Sequence, residues 1–167
     1  MNNIIISTKR LYLKPFDIND ARNMYELNLD PDVIKYTGDA AFRSVDDAKS
    51  FIENYNHYEK YNFGRWSTFL KENDQYIGFC GLKQHENGMI DIGFRFCKDH
   101  WNKGYATESA KACLEYGFTQ LGMSEIIGRA ASENIASILV LKKIGMTFWK
   151  KDECNGLKNA VYYRIRK

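Results

Sequence analysis

The sequence has few residues that break helices or strands, and no segment that would separate two domains. Only two prolines occur among the 167 residues, Pro15 and Pro31, and both lie near the N-terminus. There is no Gly/Ser-rich or low-complexity stretch and no internal repeat. Because a chain of this length fits one domain of ordinary size, the sequence predicts a single domain, residues 1–167.

Long apolar runs and a strong charge of one sign are also lacking. No stretch approaches the roughly 18 uninterrupted apolar residues of a membrane span, and residues 1–6 lack the length and charge layout of a signal peptide. Lys and Arg number 24 against 21 Asp and Glu, a formal charge of +3, which is small for a protein that binds nucleic acid through its phosphates. We therefore expect a cytoplasmic protein that binds neither a membrane nor nucleic acid.

Cysteines are few and scattered. There is no Cys-x-x-Cys pair and no histidine at metal-ligand spacing, which disfavours a zinc site or a disulfide framework. The sequence thus predicts reduced thiols and no metal. The four residues concerned are Cys80, Cys97, Cys113 and Cys154.

Hydrophobic periodicity predicts a mixed α/β (α+β) fold. Alternating apolar and polar side chains indicate strands, and near-helical spacing behind capping residues indicates helices. A strand, a helix and a further strand in succession imply one parallel crossover within an otherwise antiparallel sheet. The expected order is strand 10–14, helix 17–27, a turn at 33–36, helix 44–61, strands 65–71, 75–82 and 88–96, a helix between 104 and 122, strand 125–130, helix 134–144, and strands 146–150 and 160–165.

The strand at 88–96 has the clearest pattern. Ile90, Ile92, Phe94 and Phe96 fall on one face, so Asp91 is predicted to point away from the apolar side. The aromatic residues of helix 44–61 fall at helical spacing, which favours a role in the core. They are Phe51, Tyr55, Tyr58 and Tyr61.

The segment from Trp101 to Glu108 lies between a strand and a helix. A helix N-terminus carries unpaired N–H groups and a partial positive charge, so it can hold a diphosphate where the backbone allows close approach. Gly104 and Ala106 would allow that approach. The spacing alone is also consistent with an ordinary strand-to-helix turn in which glycine is needed for its backbone conformation. Neither nucleotide-binding glycine fingerprint is present.

A second segment, Glu133-Asn134-Ile135-Ala136-Ser137, places Asn134 at a helix start, which by itself is only a cap. Five ordered segments together resemble the GNAT superfamily of N-acetyltransferases, and within it the branch of ribosomal-protein N-terminal acetyltransferases (RimJ/RimL-like). The resemblance covers nearly the whole chain. The segments are Thr8-Lys9-Arg10-Leu11-Tyr12-Leu13, Tyr76-Ile77-Gly78-Phe79-Cys80-Gly81-Leu82, Ile90-Asp91-Ile92-Gly93-Phe94, Trp101 to Glu108, and Asn134-x-x-Ser137 through Lys143-Ile144-Gly145-Met146.

The resemblance implies a GNAT fold in which acetyl-CoA lies between two splayed parallel strands, here 88–96 and 125–130. The diphosphate would bind main-chain N–H groups at 102–107, and a main-chain N–H near Phe94 would hold the thioester carbonyl. Trp101 stands where the wider family has Gln or Arg, although the RimJ/RimL-like branch often has Trp. The implied coenzyme-binding residues are Phe94, Phe96, Trp101, Asn102, Lys103, Gly104, Tyr105, Ala106, Thr107, Asn134 and Ser137.

Acetyl transfer in this family is direct, so no nucleophilic side chain is needed. Asp91 matches a family glutamate and is the predicted base, acting directly or through water; the alternative is a solvent-facing strand carboxylate. Ser137 matches a serine proposed as the acid in this branch, and could instead cap its helix. Tyr162 and Tyr163 are further candidates for the acid, whereas Glu108 already suits its helix dipole.

The acceptor is predicted to be an amine, either a peptide N-terminus or a small amine such as a polyamine or aminoglycoside. A coenzyme-binding module without catalysis is the competing interpretation, and a homodimer is left open. The variable section 36–66 would frame the amine. Its candidates are Asp39, Phe42, Tyr55, Tyr61 and Trp66, whereas His57, His85 and His100 are assigned no role.

Overall fold

The fold is one eight-stranded mixed sheet with helices on both faces. The computed structural model describes residues 3–154 and 156–167. The sheet order is β1-β2-β3-β4-β5-β6-β8-β7, and β5 and β6 are its only parallel neighbours within those residues, as the crossover predicted. The strands are β1 Ile6–Ser7, β2 Leu11–Pro15, β3 Arg65–Leu70, β4 Tyr76–Gln84, β5 Ile90–Phe96, β6 Glu125–Ala131, β7 Thr147–Cys154 and β8 Leu157–Arg166.

The helices divide between the two faces of the sheet. On one face, α5 packs against β4 and β5, and α6 packs against β6. On the other, α1 and α3 pack together beside β4 and enclose a small apolar cluster around Met24 and Ile52. The helices are α1 Ala21–Leu29, α2 Pro31–Ile34, α3 Val45–Glu53, α4 His57–Tyr61, α5 Tyr105–Thr119 and α6 Ile135–Lys143, with 3-10 turns at Ile18–Asp20 and Lys98–His100. No helix in the described ranges is both long and apolar enough to cross a membrane.

The main core lies between the sheet and α5. Each fully buried Leu or Ile side chain there contributes about 1.5–3 kcal/mol relative to an exposed one. The Sγ atoms of Cys80 on β4 and Cys113 on α5 lie 3.7 Å apart inside this core as free thiols. Its largest fully buried side chains include Trp66, Leu11, Leu13, Ile77, Leu82, Ile126 and Leu141.

The prediction of one helix over 44–61 is wrong. The helix ends at Glu53 and a new one begins at His57, with Asn54 and Asn56 in the break. The Asn54 side chain donates to the Ser50 carbonyl (2.8 Å), and asparagine competes with helical hydrogen bonding in this way. The break turns Tyr55 and Tyr58 toward β3, where both hydroxyls bond the main chain of Arg65.

The aromatic stripe is consequently not one core face. Tyr58 and Tyr61 pack against the main core, as predicted. Phe51 is 43% exposed and belongs, with Tyr55, to the wall of a large cavity.

The last two strands are longer than predicted. They pair in antiparallel fashion from Thr147 opposite Arg164 to Cys154 opposite Leu157, with two register shifts in β7. The predicted ends at 150 and 160 reflect the polar residues that follow Lys150, but β7 is an edge strand whose polar side chains face solvent. Main-chain pairing with β8 therefore extends the strand where side-chain pattern gives no signal.

Candidate active site

The sheet opens between its two parallel strands. Only Asp91 with Ile127, and Ile92 with Gly128, are in register across β5 and β6. Beyond these pairs β5 stays bonded to β4 as far as Phe96, and β6 stays bonded to β8 as far as Ala131. The two strands thus separate into a V-shaped opening, which confirms the splay that the family resemblance implied.

Main-chain groups of β5 face this opening. The N–H of Cys97, just beyond β5, donates to Ile77 on β4 (2.9 Å). Because alternate residues of a strand direct their N–H and C=O groups to opposite edges, those of Phe94 and Phe96 are directed toward the opening. This places the predicted donor near Phe94 at the edge where an acyl carrier would lie.

The N-terminus of α5 points its unpaired N–H groups into the same region. Its cap residue, Gly104, has φ +81° and provides no side chain, whereas Ser44 caps α3 and Asn134 caps α6. A 15-residue helix without a cap side chain has its first-turn N–H groups and positive dipole end available to an anion. The positive φ shows why glycine is needed there, which supports its conformational purpose. Its role in binding a diphosphate stays a prediction.

Arg10 fixes the segment that enters α5. Its Nε pairs with Glu108 (2.6 Å), its Nη1 donates to the Lys103 carbonyl (2.9 Å), and its guanidinium lies 4.5 Å from the Tyr105 ring centroid. Burial raises the pKa of Glu108, but hydrogen bonds from Thr8 and Arg10 outweigh it and hold the pKa below its usual value. Arg10 therefore orients the helix start from outside.

We expect Arg10→Ala to raise the KM for acetyl-CoA by about 3- to 10-fold with little change in kcat. The substitution frees the 103–108 segment without touching the reacting atoms, so binding suffers rather than chemistry. Steady-state kinetics with varied acetyl-CoA measure this effect. Arg43→Ala, which removes a more exposed surface pair with Asp47, is the control, and an unchanged KM for Arg10→Ala would contradict the role.

Trp101 hydrogen-bonds to the end of β5. Its indole N–H donates to the Phe96 carbonyl (2.8 Å), one of the groups directed toward the opening. The ring is 40% exposed and lines the cavity. The indole nitrogen is thereby occupied by the Phe96 carbonyl. Phosphate binding by main-chain donors at 102–107 stays a prediction.

At the start of α6, the Asn134 side chain accepts from the Ser137 main-chain N–H (3.2 Å). Asn134 therefore does act as a cap, and the residue also lines the cavity. Ser137 is half-buried on the same wall. The roles of both residues toward a coenzyme stay predictions.

A cavity of about 1270 Å³ joins these features to the α1–α3 face of the sheet. Lys103 does not line it, and contributes only its carbonyl to Arg10. Within the described part of the chain, no cluster of three metal-ligating side chains occurs. The predicted site residues that the cavity brings together are Asp91, Phe94, Phe96, Trp101, Asn102, Gly104, Tyr105, Ala106, Thr107, Asn134 and Ser137.

Asp91 lies at the narrow end of the opening, buried among cations. Its carboxylate pairs with Arg65 (2.8 Å) and Arg129 (3.1 Å), and His85 Nε2 is 3.2 Å away. Burial raises the pKa of Asp91, but Arg65, His85 and Arg129 outweigh it and hold the pKa well below its usual value. The alternative of a solvent-facing carboxylate is wrong, since Asp91 is 4% exposed.

His85 is a cavity residue that sequence reasoning missed. It begins the turn between β4 and β5, and its main-chain N–H bonds the Met89 carbonyl (2.8 Å). Lys83 lies opposite Asp91 in the β4–β5 register, so the side chains at 83, 85 and 91 share one face. That hairpin register, had it been fixed from the turn residues, would have placed His85 beside Asp91.

The predicted acceptor residues divide between cavity and core. Asp39 pairs with Arg95 (2.7 Å) over the α1–α3 face, and Phe42 and Tyr55 line the cavity. The predictions for Tyr61 and Trp66 are wrong: Tyr61 packs against His57, and Trp66 is 2% exposed in the core.

The remaining candidate tyrosines and histidines lie away from the opening or have other partners. Tyr162 donates to the Glu153 carbonyl (2.6 Å), and Tyr163 is buried against Phe148. His57 Nε2 accepts from the Gln84 N–H (3.0 Å), and burial lowers the pKa of His57 to about 4, so this ring is neutral near pH 7.

Comparison with known proteins identifies the family. The acetyltransferase (GNAT) domain family matches residues 10–147, and the chain belongs to that family. It is 37% identical over 166 residues to the uncharacterized N-acetyltransferase YnaD of Bacillus subtilis (strain 168), covering 96% of this chain and 95% of YnaD. The chain is therefore a GNAT N-acetyltransferase.

Solved structures agree with this assignment. An acetyltransferase of the GNAT family from Bacillus anthracis superposes with a TM-score of 0.81 at 29% identity, covering 96% of this chain and 97% of that one. The spermidine N-acetyltransferase from Vibrio cholerae, solved with CoA and spermine, gives 0.79 at 20% identity, covering 93% and 95%. At that identity the second likeness shows the fold alone.

Proposed function

We propose that the protein transfers the acetyl group of acetyl-CoA directly to a primary amine, with the α-amine of a protein N-terminus as the leading acceptor, in the manner of the RimJ/RimL-like branch. The observation that carries the proposal is the uncapped start of α5 beside the opening between β5 and β6. The cavity continues from there to the α1–α3 face, where an acceptor can enter from the side opposite α5.

The residues present fit the coenzyme. The positive φ of Gly104 and the absence of a cap side chain leave the amides at 105–107 as donors for a diphosphate, and Asn134 and Ser137 line the same wall. When bound, acetyl-CoA supplies an acetyl thioester that is already activated toward amines. The chain itself contributes main-chain donors, a desolvated cavity and charged groups at the narrow end.

The acceptor must lose a proton, which an α-amine with a pKa near 8 does far more readily at pH 7 than a lysine-like amine near 10.4. Asp91 is the proposed base and Ser137 the proposed acid. Both Asp91 oxygens are engaged by cations, which favours action through water over direct contact.

A polyamine is a weaker candidate for the acceptor. A second ammonium group needs a free carboxylate, and each carboxylate that lines the cavity in residues 3–154 and 156–167 is already paired. Asp32 pairs with Lys98, Asp39 with Arg95, and Asp91 with Arg65 and Arg129.

Release of CoA thiol from acetyl-CoA tests the function against a panel of N-terminal peptides, polyamines and aminoglycosides. We expect thiol release with peptides at a kcat/KM at least about 10-fold above that for spermidine, and saturable acetyl-CoA binding by calorimetry. Faster turnover of polyamines would contradict the proposed acceptor. Saturable binding without thiol release from any amine would instead indicate a coenzyme-binding module.

A further inference from the structure

The narrow end of the cavity carries more positive than negative charge. Lys83, His85 and Arg129, here called the basic subsite, surround Asp91 together with Arg65. Three permanent cations thus face a single carboxylate. The guanidinium groups of Arg65 and Arg129 are largely buried, whereas Lys83 is exposed, and a buried cation is unfavourable unless enough acceptors reach it.

Arg65 makes three hydrogen bonds, whereas Arg129 makes two. Arg65 donates to Asp91 Oδ1 (2.8 Å) and to the main-chain carbonyls of Gly81 (2.7 Å) and Asp91 (3.1 Å). Arg129 hydrogen-bonds through Nη2, toward Asp91 and His85, and its guanidinium lies 5.9 Å from the Tyr162 ring centroid. Its buried Nε has no partner among the residues described. An arginine has five N–H donors, so Arg129 retains capacity for a further anion.

Lys83 supplies a second unused charge. It lies directly opposite Asp91 in the β4–β5 register, yet its ammonium group forms no ion pair with any carboxylate in the described chain. Its side chain is exposed to the cavity. The charge at this end is therefore available to a molecule that enters the cavity.

The basic subsite is distinct from the diphosphate cradle. Asp91 stands where β5 and β6 are still paired, and the cradle follows Phe96, five residues further along β5. At about 3.3 Å per residue this separates the two regions by about 16 Å. An anion bound at Lys83 and Arg129 is thus near the start of the opening, on the acceptor side.

We infer that the acceptor carries a carboxylate close to the amine that is acetylated, and that Lys83 and Arg129, with His85, bind that carboxylate. The inference rests on the proposed function and specifies its substrate class. Two sources share this chemistry: the carboxylate of a free α-amino acid, and an acidic side chain next to a peptide N-terminus. Charge-assisted bonds to a carboxylate discriminate strongly against the neutral amide.

Matched acceptors test the inference. An amino acid against its amide, compared at a pH at which both α-amines are neutral, and a peptide with Asp in second position against the same peptide with Asn, differ in charge with almost no change of shape. We expect at least about a 10-fold higher kcat/KM for the carboxylate member of one pair, and which pair responds identifies the source. Equal rates in both pairs would overturn the inference.

The variant Lys83→Gln provides a second test of the inference. It should lower the carboxylate preference about 10-fold through KM, while the rate with the neutral acceptor stays within about twofold. Lys35→Gln is the matched control, because Lys35 also lines the cavity but follows α2, and its ammonium group lies 5.0 Å from the Tyr36 ring centroid. A preference unchanged in Lys83→Gln would overturn the assignment of this subsite.

Binding of the acetylated products separates failure of the two proposals. Calorimetric titration with an N-acetyl amino acid and with its amide needs no turnover. Tighter binding of the acid, lost in Lys83→Gln, supports the subsite even when no amine releases thiol, in which case the proposed function alone fails. Equal binding of acid and amide overturns the subsite whatever the kinetics show.

Discussion

Gly104→Glu is expected to lower the affinity for acetyl-CoA by at least about 100-fold. Each charge-assisted hydrogen bond from a main-chain N–H to a phosphate is worth about 1.5–3 kcal/mol, and loss of two such bonds exceeds two orders of magnitude. A side chain at φ +81° is strained, its Cβ would lie 3.2 Å from Arg10 Nη2, and its carboxylate would repel the diphosphate. Isothermal titration calorimetry measures the change.

Gly122→Glu is the matched control for this substitution. Gly122 also has a positive φ, +66°, and no atom within 4 Å of an added Cβ, but it follows α5 at the opposite end from the cradle. We expect a similar backbone strain, visible as a small loss of thermal stability, and unchanged coenzyme affinity. If folded Gly104→Glu binds acetyl-CoA with an affinity within threefold of that of the original chain, the N-terminus of α5 is not part of the coenzyme site.

Asp91→Asn is expected to lower the free energy of unfolding by about 3 kcal/mol. The substitution leaves the buried guanidinium groups of Arg65 and Arg129 without their counter-charge, and removal of one partner from a buried ion cluster costs on the order of 3–5 kcal/mol. Denaturant unfolding measures the change. Asp47→Asn, which removes the exposed partner of Arg43, should leave stability within error, and an equally stable Asp91→Asn would show that the cluster holds nothing together.

The pH dependence follows from the lowered pKa of Asp91. A carboxyl whose pKa is lower in the folded than in the unfolded chain stabilises the fold above its unfolded pKa, near 3.9, and that stabilisation is lost as pH falls through the folded pKa. The stability difference between the original chain and Asp91→Asn should therefore stay constant from pH 5 to 9 and shrink below about pH 4. The pH profile of kcat/KM should likewise show no ionisation of Asp91 between pH 6 and 9. In that range, deprotonation of the acceptor amine should determine how kcat/KM changes with pH.

Sequence patterns predicted the elements whose side chains alternate strongly. The helix from Tyr105 to Thr119 and the strands from Arg65 to Phe96 each have one apolar face, and local spacing alone defines such elements. The break at Asn54–Asn56 and the extension of β7 beyond Lys150 depend on side-chain hydrogen bonds and strand pairing. Neither leaves a periodic signal in the sequence.

The two sides of the proposed site also differed in how far the sequence could predict them. The proposed coenzyme side consists of short contiguous segments, residues 101–107 and 134–137, so a sequence motif could indicate it. The narrow end is assembled from Arg65 on β3, His85 after β4 and Arg129 on β6, which no sequence window contains. Asp91 was singled out by its position on a strand face, but its ion pairs depend on which strands become neighbours.

The V-shaped opening is supported from both outer sides. Its β5 wall remains bonded to β4 and its β6 wall to β8, so each wall keeps a complete hydrogen-bonded partner where the two walls face each other unpaired. The shape of the gap is therefore a permanent property of the backbone. A coenzyme can enter without ordering a loop or displacing a strand. Little of the free energy of binding is therefore spent on rearranging the protein.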